Sequence, residues 1–137
     1  MSILINKSKE NQTSAQLLIN NNHYASSVHC SYYSSVQIML HILLNKFNFT
    51  PEKLEAESKM KFTGSHVFAK NFLLNKMKEK NERFKARDFN NYIGELKNKR
   101  EKADYQEEII NTELSQEALE QSKKINAILT NVFEIAL

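Results

Sequence analysis

Residues 23–47 read HYASSVHCSYYSSVQIMLHILLNKF. Within them Ala25, Val28, Tyr32, Val36, Met39, Leu40, Leu43 and Phe47 recur every three or four positions, a helical period held over about six turns. Ser26, Ser27, Ser31, Ser34 and Ser35 lie around that stripe and are small enough to let another helix approach closely. Tyr33, Ile38, Ile42 and Leu44 fall off the stripe, so the apolar face is wide. A helix apolar on more than one side is either the centre of a bundle or paired with a second chain.

Helices are expected on both sides of this segment. Residues 8–21 form one, with Ala15, Leu18 and Ile19 inward and Asn20-Asn21-Asn22 ending it. Thr50-Pro51-Glu52 is a helix start, with a capping hydroxyl, Pro at the first position and an acid in the first turn; the helix it opens is short and ends near Met60. Gly64-Ser65 breaks the chain, and Ser65 is expected to cap a helix carrying Val67, Phe68, Phe72, Leu73 and Met77. The charged run 78–85 reads as a loop. A helix over 86–103 follows, and Ser115 is expected to cap a last one with Ala118, Ile125, Ile128, Leu129, Val132 and Phe133 inward. The fold class is all-α: one domain, residues 1–137, as an up-down bundle of four to five main helices.

Composition agrees. Two Gly and one Pro in 137 residues are too few for a chain of strands and tight turns, and 41% apolar content is that of a globular protein. The single Cys30 excludes an internal disulfide. Met1-Ser2-Ile3-Leu4-Ile5-Asn6 is too short for a signal peptide, and the most apolar run, 36–44, is too short to span a bilayer, so a cytoplasmic protein with no membrane partner is expected. The net charge of +3 is unevenly spread. Residues 70–102 hold eleven Lys and Arg against five acids (+6), while residues 103–137 hold two against seven (−5). Such a basic block can attract RNA or nucleotide phosphate, or can be the solvated faces of two helices.

One residue breaks the pattern of the helix over 86–103. The stripe Phe89, Ile93, Leu96, Arg100, Ala103 is apolar except for Arg100. A cation on a core-facing stripe is costly unless it is paired or lines a wet cleft. Asp104, four residues on, shares its helix face and can pair with it. Arg100 is therefore either a structural ion pair with Asp104, or a phosphate contact oriented by Asp104 with Tyr105 stacking or hydrogen-bonding nearby. His23, His29, His41 and His66 form no metal-ligand spacing, so neither metal nor cofactor is expected. Glycine-rich phosphate loops and strained nucleophile turns are absent. Tyr32 and Tyr33 read as core aromatics.

Three segments together resemble HEPN domains (higher eukaryotes and prokaryotes nucleotide-binding). His23-Tyr24-Ala25 leading into Ser31-Tyr32-Tyr33-Ser34 and an aliphatic run is similar to that family's second helix. Ser65-His66-Val67 with Phe72 resembles its His-small-aliphatic helix opening. Arg100-Glu101-Lys102-Ala103-Asp104-Tyr105 matches the Arg-x-x-Ala-Asp-Tyr signature of a prokaryotic branch, in the right order. The resemblance implies an up-down bundle dimerising through its long central helices (here 23–47), with a site near the seam. Many such proteins are metal-independent ribonucleases using Arg-x(4–6)-His, in which the arginine stabilises phosphate and the histidine acts as acid or base. Others bind RNA or nucleotide without cutting it, beside a nucleotidyltransferase partner in toxin–antitoxin or defence systems. Arg100 matches the arginine, but no histidine follows it in this chain; Asp104 and Tyr105 stand there instead.

The first expectation is thus an RNA- or nucleotide-binding homodimer, weakly catalytic or not at all, working with a nucleotidyltransferase and using Arg100, Asp104 and Tyr105 on phosphate. The alternatives are an endoribonuclease with Arg100 and His66 as catalytic residues, and a plain interaction module. A charge at Val36 or Met39 is expected to disrupt assembly or folding.

Overall fold

A computed structural model describes residues 2–137 as six helices: α1 (Ile3–Asn20), α2 (Tyr24–Lys46), α3 (Pro51–Met60), α4 (Ser65–Glu79), α5 (Arg83–Tyr105) and α6 (Thr112–Val132). The described residues contain no strand, so the chain is an all-α bundle. Five of the six helices are long, and the short α3 is the one that Thr50-Pro51-Glu52 announces.

Helix α2 is the axle. It packs against α1, α4, α5 and α6, while α3 lies against α4. Its apolar surplus is consumed within the chain: Val28, Tyr32, Val36, Ile38, Met39, Ile42 and Leu43 are all buried. Val36 and Met39, where a charge is expected to disrupt assembly or folding, are core residues of the chain itself. Four helix neighbours within the chain account for the width of the apolar face.

The serines of α2 explain how the neighbours come so close. Ser27 Oγ donates to the Ala15 carbonyl at 2.8 Å, and Ser8 Oγ to the Ser34 carbonyl at 2.7 Å, joining α1 to α2. On the other flank Ser35 and Ser122 share a 2.9 Å hydroxyl contact, and Asn126 Nδ2 donates to Ser34 Oγ, joining α6 to α2. Ser27, Ser31, Ser34 and Ser35 are wholly buried, which larger side chains would prevent. Ser26, grouped with them by spacing, faces solvent.

Several boundaries differ from the sequence expectation. Helix α1 begins at Ile3, not residue 8, because the Ser2 side chain accepts from the Leu4 amide and Ile5 and Ser8 pack inward. Gly64, not Ser65, is the N-cap of α4, and it offers no side chain to the first-turn amides. The run 78–85 is not a loop: α4 and α5 continue to Glu79 and from Arg83, and the turn is residues 80–82, with Asn81 at φ 61°. Asn tolerates this left-handed geometry better than most residues, and Asn22 and Asn48 serve the same way. The cap of α6 is Asn111, whose Oδ1 accepts from the Leu114 amide at 2.8 Å. Ser115 lies a turn inside, buried, with its hydroxyl donating to the Thr112 carbonyl. Thr50 and Pro51 open α3 as expected, with Thr50 Oγ1 accepting from Lys53. No helix among the described residues is long and apolar enough to cross a membrane.

Candidate functional site

Arg100 sits near the end of α5 with its side chain only 12% accessible. Its guanidinium lies between two aromatic rings, 4.8 Å from the Tyr32 centroid on α2 and 5.6 Å from that of Tyr105 on its own helix. These cation–π contacts offset part of the desolvation cost. Burial alone pulls its pKa down, and the three tyrosines Tyr32, Tyr33 and Tyr105 outweigh this, leaving a net upward shift; the group is a fixed cation.

The expected partner is looser than a structural ion pair requires. Arg100 Nη1 lies 3.7 Å from Asp104 Oδ2, beyond hydrogen-bond range. Arg100 Nε is buried and has no hydrogen-bond partner among the described residues. Asp104 commits the same oxygen elsewhere: Oδ2 meets His29 Nδ1, on α2, at 2.9 Å. The His29 ring in turn packs on Tyr33, centroids 4.6 Å apart. A shallow cleft of about 350 Å³ opens beside this pair, lined by Ala25, Ser26, His29, Cys30, Ala103 and Asp104. Burial pushes the Cys30 thiol up, away from the reactive thiolate.

His66, in the first turn of α4, joins the cluster through Tyr32. Its Nδ1 lies 3.2 Å from the Tyr32 hydroxyl, and its ring lies 5.8 Å from Tyr32 and 5.7 Å from Tyr33. Burial depresses its pKa, and the nearby cations Arg100 and Lys97 depress it further. The imidazole is therefore neutral at pH 7, able to accept a proton. Burial is also the main reason the Tyr32 phenol is raised above its ordinary value, so it stays protonated, and its oxygen can accept from a His66 Nδ1–H, which leaves Nε2 as the proton acceptor. Lys70 and Lys97 line a narrow crevice of about 20 Å³ with His66, Tyr32 and Gly94. That is room for a water and no more. The uncapped first-turn amides of α4 add partial positive charge on this side.

The structure thus brings Arg100 and His66, from two helices, onto Tyr32, with Asp104 and Tyr105 beside Arg100. Periodicity did not reveal three participants. Tyr32 and Tyr33 carry their apolar bodies in the core and their polar edges at the site, and the spacing shows only the first property. His29 is on the solvent side of α2, and its partner is 75 residues away. Only the Tyr-Tyr step beside a histidine one turn earlier, His29 to Tyr33, carried a local signal. Among the described residues no three His, Cys, Asp or Glu side chains converge as a metal site would require. No protein-family model, curated protein or solved structure matches this chain.

Proposed function

We propose that the chain binds RNA, gripping a backbone phosphate at Arg100, as the resemblance to HEPN domains implies. One observation carries this reading: the guanidinium is nearly enclosed, yet its Nε has no acceptor and its one carboxylate neighbour is 3.7 Å away. Buried donors are ordinarily satisfied, and this cation, short of acceptors inside the fold, can take a phosphate oxygen at the accessible edge of its guanidinium. Lys97, Lys70 and the open first turn of α4 supply a cationic surround. Tyr105, 76% exposed, offers a ring on which a base can stack.

Binding of a fluorescent single-stranded RNA at low salt tests the reading. Arg100→Ala is expected to weaken it at least tenfold with unchanged helicity. Equal affinity in that variant overturns it.

A second reading, cleavage, is favoured by the neutral His66 beside the Tyr32 ring that Arg100 covers. In it His66 takes the proton of a ribose 2′-hydroxyl, the 2′-oxygen attacks phosphorus, and Arg100 stabilises the charge gathering on the phosphoryl oxygens. The 5′-oxygen leaves with a proton from solvent, giving a 2′,3′-cyclic phosphate and a 5′-hydroxyl end. Incubation in EDTA followed by end analysis tests it. A cyclic phosphate formed by the wild type and lost in His66→Gln supports cleavage, and intact RNA leaves binding alone.

A further inference from the structure

The basic block between residues 70 and 102 is not used up by the Arg100 site. At the far end of α5 an open groove of about 410 Å³ runs between α4 and α5, lined by Leu74, Lys78, Arg83, Ala86, Arg87 and Asn90. Helical spacing connects it to the His66 crevice. On α4, His66, Lys70, Leu74 and Lys78 follow each other at intervals of four; on α5, Arg83, Arg87, Asn90, Gly94 and Lys97 do so at three or four. These residues form one continuous seam between two helices, ending beside Arg100.

The seam is cationic and mostly unneutralised. No carboxylate among the described residues lies within 4 Å of the charged groups of Lys70, Lys78, Arg83 or Lys97. Arg87 has only Asp88, at 3.8 Å and half-exposed. At the rim Phe84 is 76% exposed, with the Arg87 guanidinium 5.4 Å from its ring centroid.

Gly94 is the second, independent observation. It lies in the interior of α5, where glycine is unfavourable relative to alanine. Packing does not demand it, because a Cβ there would meet no atom within 4 Å. What glycine provides at this place is a low rim above the narrow crevice, near the Lys97 end of the seam, over which a ligand backbone can pass.

We infer that the α4–α5 seam is a track for single-stranded RNA, leading the strand from Arg83 and Arg87, across Gly94, to the phosphate held at Arg100. This rests on the RNA-binding function proposed above. From Arg83 to Lys97 the helix rises about 21 Å, room for about six stacked nucleotides at ~3.4 Å each. Packed helix axes lie about 8–10 Å apart, so the seam admits one phosphate–sugar strand and not a duplex. The strand lays phosphates on Lys78, Arg83 and Arg87 and stacks a base on Phe84.

The test compares a dinucleotide, which reaches only the Arg100 end, with an oligoribonucleotide of about 12 residues. The longer strand is expected to bind wild type at least tenfold tighter. Arg83→Ala combined with Arg87→Ala should remove most of that gain, leave the dinucleotide unchanged and lower the slope of log affinity against log salt by about 1.4. Gly94→Ala is expected to raise Tm by about 3 °C, and Gly94→Leu to weaken the longer strand more than the dinucleotide. A longer strand that binds no tighter than the dinucleotide overturns the track while the Arg100 reading stands. Failure of both RNAs to bind wild type removes both. Tighter binding of a blunt duplex than of the single strand also overturns the track.

Discussion

Asp104 and His29, 75 residues apart, are joined by a 2.9 Å contact between Oδ2 and Nδ1, and this bond defines the outer wall of the site. It ties the end of α5 to α2 and turns the aspartate toward the histidine. The 3.7 Å to Arg100 is a consequence. Carboxylate and guanidinium are near enough to feel each other and too far apart to satisfy each other.

Removing the arginine should therefore cost function and not fold. A buried, hydrogen-bonded ion pair broken on one side typically loses about 3–5 kcal/mol. Arg100→Met keeps the length of the side chain and removes a donor that has no partner, so stability to urea is expected to change by less than about 1 kcal/mol, while RNA binding is lost. A loss near the larger figure, measured by equilibrium denaturation, would show that the pair is structural.

Neutralising Asp104 should help an anion. Asp104→Asn removes a negative charge beside Arg100 and keeps the shape of the side chain. Affinity for RNA at low salt is expected to rise a few-fold, an effect that fades as salt screens it. Weaker binding in a titration of this variant would mean that the carboxylate positions the guanidinium.

Acid should destabilise the protein through two histidines. Burial is the leading cause of a depressed pKa at both His66 and His41, reinforced by Arg100 and Lys97 at the first and by Lys46 at the second. The unfolded chain takes up these protons more readily than the folded one. Stability is then complete above about pH 6.5 and declines as pH falls below it toward the folded values. Denaturation midpoints between about pH 7.5 and pH 5 measure this, and His66→Gln should flatten part of the slope. A midpoint that rises on acidification contradicts the assignment.

Methionine 39 should behave as core. Met39→Ala is expected to cost about 2–5 kcal/mol. Since the residue is buried within one subunit, the loss should not depend on protein concentration. Concentration-dependent midpoints for this variant would restore a seam there.

The helices of this chain were written in its sequence because each one carries its own periodicity. Tyr24–Lys46 and Pro51–Met60 follow from stripes and caps that a few neighbouring residues determine. The boundaries that moved have local causes too: a serine cap at residue 2, an asparagine cap at 111, and charged residues at 78–85 that helices accommodate on solvated faces. Arg100 stood out as a cation in an apolar stripe, and Asp104 and Tyr105 stood out beside it.

What surrounds Arg100 was decided only by tertiary packing. Four neighbours on α2 bury Val36 and Met39 within one subunit, which no pattern along α2 can distinguish from a partner chain, since apolar residues look the same whichever chain covers them. The crossing of α2, α4 and α5 likewise puts Tyr32 between Arg100 and His66 and gives Asp104 to His29. Hydrogen bonds and cation–π contacts act over a few ångströms in space, and separations of 34 and 75 residues along the chain carry no trace of them until the helices cross.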